Sequence, residues 1–226
     1  EAAYHSGELR RLDPSRPIEG GLDFGNMNSL VIAQPDGQYY RIHKNLYVIP
    51  PESLRELADE FLDFFSPHEN KTLYLFYDRA GNASQRQKED KAGKIKEAIE
   101  RDKDGNRTGW TVVLMSRGQG NINQDAEYNF MLELLAERNK ALPLLRVDAV
   151  NCAEMVSSIE NARQIIKYRG EAKIVAKDKR TEKLEPKKLP RLSTNFSDAF
   201  KYLMMRRTWV NATRPAATSA SSADVV

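Results

Sequence analysis

The sequence predicts an α/β fold with one mixed sheet, in which antiparallel hairpins come first, parallel crossovers follow, and helices flank the sheet. Two observations predict it. Three strand-like runs joined by short turn signals occupy residues 20–49, and beyond them strand-like runs alternate with helical periodicity. Antiparallel strands need only short turns, whereas parallel strands need a crossover that a helix usually supplies. The 226 residues, 40% of them hydrophobic, suit one sizeable domain.

The first fifty residues predict three consecutive antiparallel strands, over residues 20–24, 29–34 and 39–49. Gly25 opens a tight connection between the first two strands and permits a close approach of backbone or ligand. The pair Asp36-Gly37 lies between the second and third strands, and Asp-Gly favours the primed turns of two-residue hairpins. Pro50 ends the third strand because proline lacks the backbone N–H that a sheet requires.

Strands and helices alternate through the rest of the chain. Apolar runs predict strands over 72–77, 110–115 and 143–147, and a period near 3.6 predicts helices over 52–65, 91–101, 124–139, 153–166 and 196–206. The continuously apolar run Thr72–Tyr77 indicates a strand buried on both faces. In the helix over 124–139 we expect one apolar face, formed by Tyr128, Met131, Leu132, Leu134 and Leu135.

The two ends of the chain differ in composition from the region between them. Residues 1–17 contain two prolines and mixed charge, and predict a linker or entry arm. Residues 18–208 form the predicted domain, and residues 209–226, rich in Ala, Ser and Thr, predict a disordered tail. The sequence does not begin with Met, so we expect it to be part of a longer protein.

Several classes of protein are excluded by what the sequence lacks. No apolar run approaches the roughly 20 residues that a membrane span needs, and the start of the chain has no secretory signal pattern, so we expect neither a membrane partner nor secretion. Cys152 is the single cysteine, which excludes an internal disulfide and a Cys-x-x-Cys zinc site. The histidines His5, His43 and His68 are scattered, and we expect them on the surface or in loops. No phosphate-loop motif of an ATPase is present.

Three aspartates are the strongest candidates for a functional site. Asp23 and Asp78 each end a strand-like run, and Asp198 lies at the edge of an apolar helical face. In sheets of this kind, ligands bind beyond the carboxyl ends of the strands. Carboxylate oxygens favour Mg²⁺ or Mn²⁺, and a pair of such ions catalyses in-line displacement at phosphorus. The sequence therefore predicts that the three acids hold two divalent ions for phosphodiester hydrolysis.

Alternatives remain open for these acids and their neighbours. Aspartate is common where strands end, so Asp23 or Asp78 taken alone has a plain turn-capping explanation. Asp148 also ends an apolar run and is a possible fourth ligand, although capping the helix around residues 152–154 explains it well and is the favoured interpretation. Asn195 precedes Asp198 by about one turn, where it either assists the metal site or, as we expect, caps the helix.

A basic stretch over 173–191 holds eight Lys or Arg residues against three acids. Such an excess suits the backbone of a nucleic acid, whereas a solvated surface loop is the alternative. The candidate phosphate-binding residues are Lys177, Lys179, Arg180, Lys183, Lys187 and Lys188.

The motifs around the three acids, taken in order, resemble the nuclease domain of phage large terminase subunits. The resemblance covers roughly residues 18–208 and rests on Asp23-Phe24-Gly25 before a hairpin, the apolar strand ending in Asp78, and Asp198-Ala199-Phe200-Lys201-Tyr202. It implies an RNase H-like fold and an endonuclease that cleaves double-stranded viral DNA concatemers during genome packaging. By position, the three acids would be the catalytic, metal-binding residues.

The resemblance also implies partners. These are double-stranded DNA, an ATPase motor domain, a portal protein and a small terminase subunit, all acting in the host cytoplasm. The motor domain normally precedes the nuclease in this family, and its motif is missing here, so we expect an isolated domain or a stand-alone nuclease. Some members carry a histidine about one turn before the last acid, where this chain has Asn195.

Two other functions compete with this hypothesis. A Holliday-junction resolvase has a similar first hairpin but needs a fourth acid late in the chain, which makes Asp148 the discriminating residue. A non-catalytic module that docks on DNA or a portal ring would bind without cutting. Its binding would survive replacement of the aspartates.

Overall fold

The computed structural model describes residues 12–79, 90–120, 124–169, 172–206 and 209, and within them six strands form one mixed sheet. The strands are β1 (Ile18–Phe24), β2 (Asn28–Asp36), β3 (Tyr39–Val48), β4 (Thr72–Tyr77), β5 (Thr111–Leu114) and β6 (Leu144–Val147). Their order across the sheet is β5-β4-β1-β2-β3-β6. The first three strands pair antiparallel, and β4, β5 and β6 join in parallel. The predicted mixed sheet, with antiparallel hairpins first and parallel crossovers after them, is confirmed.

Helices cover both faces of this sheet. They are α1 (Leu54–Phe64), α2 (Lys91–Glu100), α3 (Gln124–Ala136), α4 (Ala153–Asn161), the single-turn α5 (Leu189–Leu192) and α6 (Asn195–Met204). The first two helices share a hydrophobic cluster with Leu22 on one face of the sheet. The helices α3 to α6 share the cluster on the other face, with Phe76. None of the described helices is long and apolar enough to cross a membrane.

Most predicted elements lie within two residues of their observed bounds. The hairpin between β2 and β3 turns at Gly37, whose φ of 61° suits a residue without a side chain. Ser53 is the N-cap residue of α1. Its capping box with Glu56 satisfies backbone N–H groups that have no partner within the helix. These elements were predictable because turn chemistry and apolar periodicity agree there.

The helix predicted over 153–166 is wrong in its second half. The helix α4 ends at Asn161, and the chain continues as β7 (Gln164–Arg169), which pairs antiparallel with β8 (Ala172–Lys177) in a separate two-stranded sheet. The run Gln-Ile-Ile-Lys-Tyr-Arg is rich in β-branched and aromatic residues, which favour extended backbone once a partner strand is available. That partner lies in the basic stretch, so part of the stretch is a strand and not a loop.

The predicted apolar face of the helix over 124–139 is right only in part, since Leu134 is buried and Met131 packs against the core but the other three predicted residues do not. In α3 the buried side chains are Phe130 and Leu134, whereas Tyr128, Leu132 and Leu135 remain 43%, 49% and 39% exposed. Apolar residues occur on more than one side of this helix, so its periodicity does not define a single face. The packing of α3 beside the sheet decides that the 130/134 side is the buried one.

His43 contradicts the expectation of a surface or loop position, whereas His68 does lie in a loop, between α1 and β4. His43 is buried within β3, and His68 is buried with its ring stacked on Trp110 at 6.1 Å between centroids. His5 lies outside the described residues. Burial of His43 lowers its pKa to about 4, so its ring is neutral near pH 7.

The predicted terminal segments are described only in part. Residues 1–11 of the predicted arm lie outside the described residues, whereas residues 12–17 lie against the domain, where the Gln34 side chain donates hydrogen bonds to three of their carbonyls. Residues 210–226 of the predicted tail also lie outside the described residues. Trp209 is described, and its ring packs edge-on against Tyr40 at 5.5 Å.

The helix α6 lies directly on β1 because Gly21 has no side chain. A Cβ atom added at Gly21 would lie 2.2 Å from the carbonyl oxygen of Ala199 and 2.6 Å from the Cβ of Leu203. Both distances are far below van der Waals contact, and both partners belong to the body of the helix. Any side chain at position 21 must therefore push α6 away from the sheet.

We expect Gly21→Ala to lower the free energy of unfolding by about 2 kcal/mol or more, because the added methyl group overpacks the contact between β1 and α6. Urea denaturation followed by circular dichroism measures the change. Gly120→Ala is the matched control, since a Cβ atom there meets no atom of the described residues within 4 Å. Equal stability of the two variants would contradict the close contact.

Candidate metal site

Asp23 and Asp78 lie side by side at the carboxyl ends of two neighbouring parallel strands. In the parallel pairing of β1 with β4, Leu22 lies opposite Tyr77. The residue that follows each of them is one of the two acids. Adjacent strands run about 4.8 Å apart, and level residues of a parallel pair point to the same face. The arrangement predicted for these two acids is therefore present.

Asp198 joins them from the first turn of α6, where its side chain is almost fully buried. The proximity is visible in the pKa of Asp23, which burial and then the charges of Asp198 and Asp78 raise to about 7. The same three carboxylates, after burial, raise the pKa of the Tyr202 phenol. The structure thus brings all three predicted acids to the end of the sheet where β1 and β4 have their carboxyl ends.

Asn195 ties the helix to the first acid. Its Nδ2 donates to the Asp23 Oδ2 at 3.1 Å and to the Met27 carbonyl at 3.0 Å, while its buried Oδ1 has no partner among the described residues. A Cβ atom at Gly25 would lie 1.9 Å from this nitrogen, so the predicted close approach at that glycine occurs. The expected capping role is wrong, because Thr194 occupies the N-cap position of α6. Asn195 instead holds Asp23 in place.

Two lysines neutralise Asp198. The Lys177 Nζ lies 2.9 Å from the Asp198 Oδ1, and the Lys201 Nζ lies 3.4 Å from the same oxygen. Burial would raise the pKa of Asp198, but these ammonium groups outweigh burial and lower it. Lys201 also contacts Glu127 of α3 at 3.1 Å.

Glu127 and the ion pair of Lys177 were not predicted from the sequence. Glu127 lies on a helix predicted only to build the core, and no local motif marks it. Lys177 was predicted to bind DNA with the rest of the basic stretch, yet its side chain is only 25% exposed and contacts Asp198. The contact of Lys177 with Asp198 depends on the pairing of β7 with β8, which the charge of the basic stretch does not indicate.

The remaining candidate phosphate-binding residues are exposed. Lys179, Arg180, Lys183, Lys187 and Lys188 lie on two short 3₁₀ turns, over Arg180–Lys183 and Pro186–Lys188, and on the residue before the first. Arg180 pairs with Asp178 at 2.7 Å, and Lys179 pairs with Glu182 at 3.3 Å. The charge of Lys179 also lowers the pKa of Asp23, which places this segment beside the acids.

Asp148 does not join the three acids. It follows β6, which is separated from β1 by β2 and β3. Its carboxylate accepts the backbone N–H groups of Val150 and Asn151 at 3.0 and 2.9 Å, and the Asn151 side chain at 2.8 Å. These bonds outweigh burial and lower the pKa of Asp148. Asp148 therefore organises its own loop, while Cys152 occupies the N-cap position of α4.

The donor chemistry of the three acids suits a hard divalent cation. Their oxygens lie at the same end of the sheet, and burial first, then the charges of Asp198 and Asp78, raise the pKa of Asp23. Among the described residues, no three His, Cys, Asp or Glu side chains already form a metal cage. The residues fit the ion, but their carboxylates must converge around it when it binds.

Comparison with models of protein families finds no match, and comparison with curated proteins finds no matching sequence. Among solved structures, the chain is similar to the crystal structure of the large terminase nuclease domain from the bacteriophage SPP1 with bound Mn. Sequence identity is 17%, the match covers 88% of this chain and 93% of that chain, and the TM-score is 0.45.

We expect Asp23→Asn to stabilise the metal-free chain at high pH. The folded-state pKa of Asp23 is about 7 and its ordinary value is 3.8, so its contribution to stability is complete below pH 3.8 and is lost as the pH rises through 7. The substitution removes that loss. At pH 8 the variant should gain about 1 kcal/mol or more in free energy of unfolding over the native chain, and at pH 4 almost nothing.

Urea denaturation with a chelator present, at pH 4, 6 and 8, measures this difference. Asp63→Asn serves as the control because Asp63 is exposed on α1, which packs on the opposite face of the sheet from α6. A gain that is the same at all three pH values would contradict a raised pKa at Asp23.

Proposed function

We propose that the chain is a metal-dependent endonuclease that cleaves double-stranded viral DNA concatemers during genome packaging. The main support is the meeting of Asp23, Asp78 and Asp198 at the carboxyl ends of two strands of an RNase H-like sheet. They lie beside residues 179–188, the exposed part of the basic stretch, which we call the basic segment. Oxygen donors beside a phosphate-binding surface suit phosphodiester hydrolysis. The order of the motifs, which resembles the terminase nuclease, adds the viral DNA substrate to the proposal.

Asp23, Asp78 and Asp198 would hold two Mg²⁺ or Mn²⁺ ions. When bound, the ions would supply Lewis acidity and an activated water for in-line displacement at phosphorus. The residues of the chain itself hold the carboxylates in position. Two adjacent strands set the spacing of Asp23 and Asp78, and Asn195 orients the Asp23 carboxylate through its 3.1 Å hydrogen bond.

The helix α6 supplies the third acid, and its surroundings hold that helix firmly. Gly21 allows α6 to lie on β1, and the Arg79 side chain donates a hydrogen bond to the carbonyl of Met205 just beyond the end of the helix. Arg206 forms an ion pair with the buried Glu19 of β1, and its guanidinium lies over the Phe76 ring at 4.6 Å. Asp198 is therefore carried on an element anchored at both ends.

The basic segment would bind the DNA backbone. Lys183 and Lys187 are exposed, and the charge of Lys179 acts on the acids, so DNA held by the segment would pass close to them. Contacts to phosphate carry no sequence information, and the proposal is therefore an enzyme with little sequence preference. Through the resemblance, the proposal also includes three protein partners in the host cytoplasm. They are an ATPase motor domain, a portal protein and a small terminase subunit.

The position of Asp148 bears on the junction-resolvase alternative. That function needs a fourth acid in the site, and Asp148 lies on the far side of β2 and β3 with its carboxylate occupied by its own loop. The packaging nuclease needs no such acid. A docking module without catalysis differs from the proposal in one measurable respect, the absence of cleavage.

We expect Asp23→Asn, Asp78→Asn and Asp198→Asn each to reduce plasmid cleavage in Mg²⁺ or Mn²⁺ by about 100-fold or more, because each removes a ligand charge from the ions. Gel analysis of supercoiled plasmid measures the rate. Asp148→Asn is the matched control and should cleave like the native chain. Undiminished cleavage by all three variants would contradict the site, and no cleavage by the native chain would favour the docking module.

We expect the double variant Lys187→Ala, Lys188→Ala to bind duplex DNA more weakly and with a smaller salt dependence. Each lost phosphate contact lowers the slope of log affinity against log salt by about 0.9, so the slope should fall by about 2. Fluorescence anisotropy with a chelator present, across salt concentrations, measures it without cleavage. The control is Lys103→Ala, Arg107→Ala, which removes two exposed charges between α2 and β5. Equal slopes for the two double variants would show that the basic segment does not contact DNA.

A further inference from the structure

We propose that Lys177 is a built-in counter-cation for Asp198, which its ammonium group neutralises until a divalent ion displaces it. This rests on the proposed metal site and adds a competition between a side chain and the metal. It also links metal binding to the hairpin of β7 and β8, because Lys177 is the last residue of β8.

The ammonium group of Lys177 has a built set of acceptors. Its Nζ lies 2.6 Å from the Ser197 Oγ, 2.9 Å from the Asp198 Oδ1 and 3.4 Å from the Thr194 carbonyl. A lysine ammonium has three N–H donors, so these three acceptors match its capacity. The exposed lysines of the basic segment differ, since Lys183 and Lys187 extend into solvent.

Lys201 cannot replace Lys177 as the group that leaves. It lies further from the Asp198 Oδ1, at 3.4 Å, and it keeps a second carboxylate partner in Glu127 at 3.1 Å. Lys177, in contrast, forms its ion pair with Asp198, and no second carboxylate partner is found for it among the described residues. When Asp198 turns to a metal ion, Lys201 therefore stays neutralised, whereas Lys177 loses its carboxylate.

Competition follows from charge. A divalent ion and an ammonium group both need the Asp198 carboxylate, and two cations beside one buried carboxylate repel each other strongly in this poorly solvated setting.

The test is Mn²⁺ binding, measured by isothermal titration calorimetry on the chain without DNA. We expect Lys177→Met, which keeps most of the side-chain volume but no charge, to bind Mn²⁺ at least about tenfold more tightly than the native chain, since no cation must be displaced. Lys177→Arg keeps the charge and should bind like the native chain. Lys103→Met is the control for removing a lysine elsewhere, and should also bind like the native chain.

A second measurement uses the native chain and remains decisive if Lys177→Met does not fold. Reductive methylation followed by mass spectrometry reports the accessibility of each lysine. We expect labelling of Lys177 to rise several-fold when Mn²⁺ is added, and labelling of Lys103 to stay constant.

The outcomes separate this inference from the proposed function. Mn²⁺ binding that is equal or weaker in Lys177→Met, with unchanged labelling of Lys177, would overturn the counter-cation while leaving the metal site intact. Absence of Mn²⁺ binding in both the native chain and Lys177→Met would overturn the proposed function and this inference together.

Discussion

The contact between α6 and β1 at Gly21 is the constraint on which the rest of the site depends. Backbone and side-chain atoms of the helix occupy the space where a Cβ atom would stand, so the helix lies as close to the strand as packing allows. This contact carries Asp198 to the edge where Asp23 ends β1. It also brings Asn195 within hydrogen-bonding distance of Asp23. A larger residue at position 21 would separate the acids before any chemistry began.

Charge balance is the second physical theme. Three buried or half-buried carboxylates at one edge repel one another, which the raised pKa of Asp23 reflects. The structure limits this cost with lysines drawn from different elements, Lys177 from β8 and Lys201 from α6, both on Asp198. Asp23 has an amide partner in Asn195, and its pKa stays raised by burial and by the neighbouring carboxylates, which suits a site that receives a further cation.

Prediction from sequence succeeded where several local signals agreed. The first hairpins, the capped helix α1 and the buried strand β4 each combine periodicity with a turn or cap, and their bounds were nearly right. It failed where signals conflicted. The residues after Asn161 suit both helix and strand, and α3 has apolar residues on more than one side. In both cases a partner distant in sequence decided the outcome.

By itself the sequence determined the sheet with its order of hairpins and crossovers, and the position of Asp23 and Asp78 at the carboxyl ends of strands. It did so because periodicity, turn residues and chain connectivity act over short distances. The tertiary structure alone decided which side chains meet. It excluded Asp148, made Asn195 a partner of Asp23, and set Lys177 and Glu127 around the third acid. Such pairings depend on how helices pack across the sheet, and residues far apart in the chain carry no local mark of them.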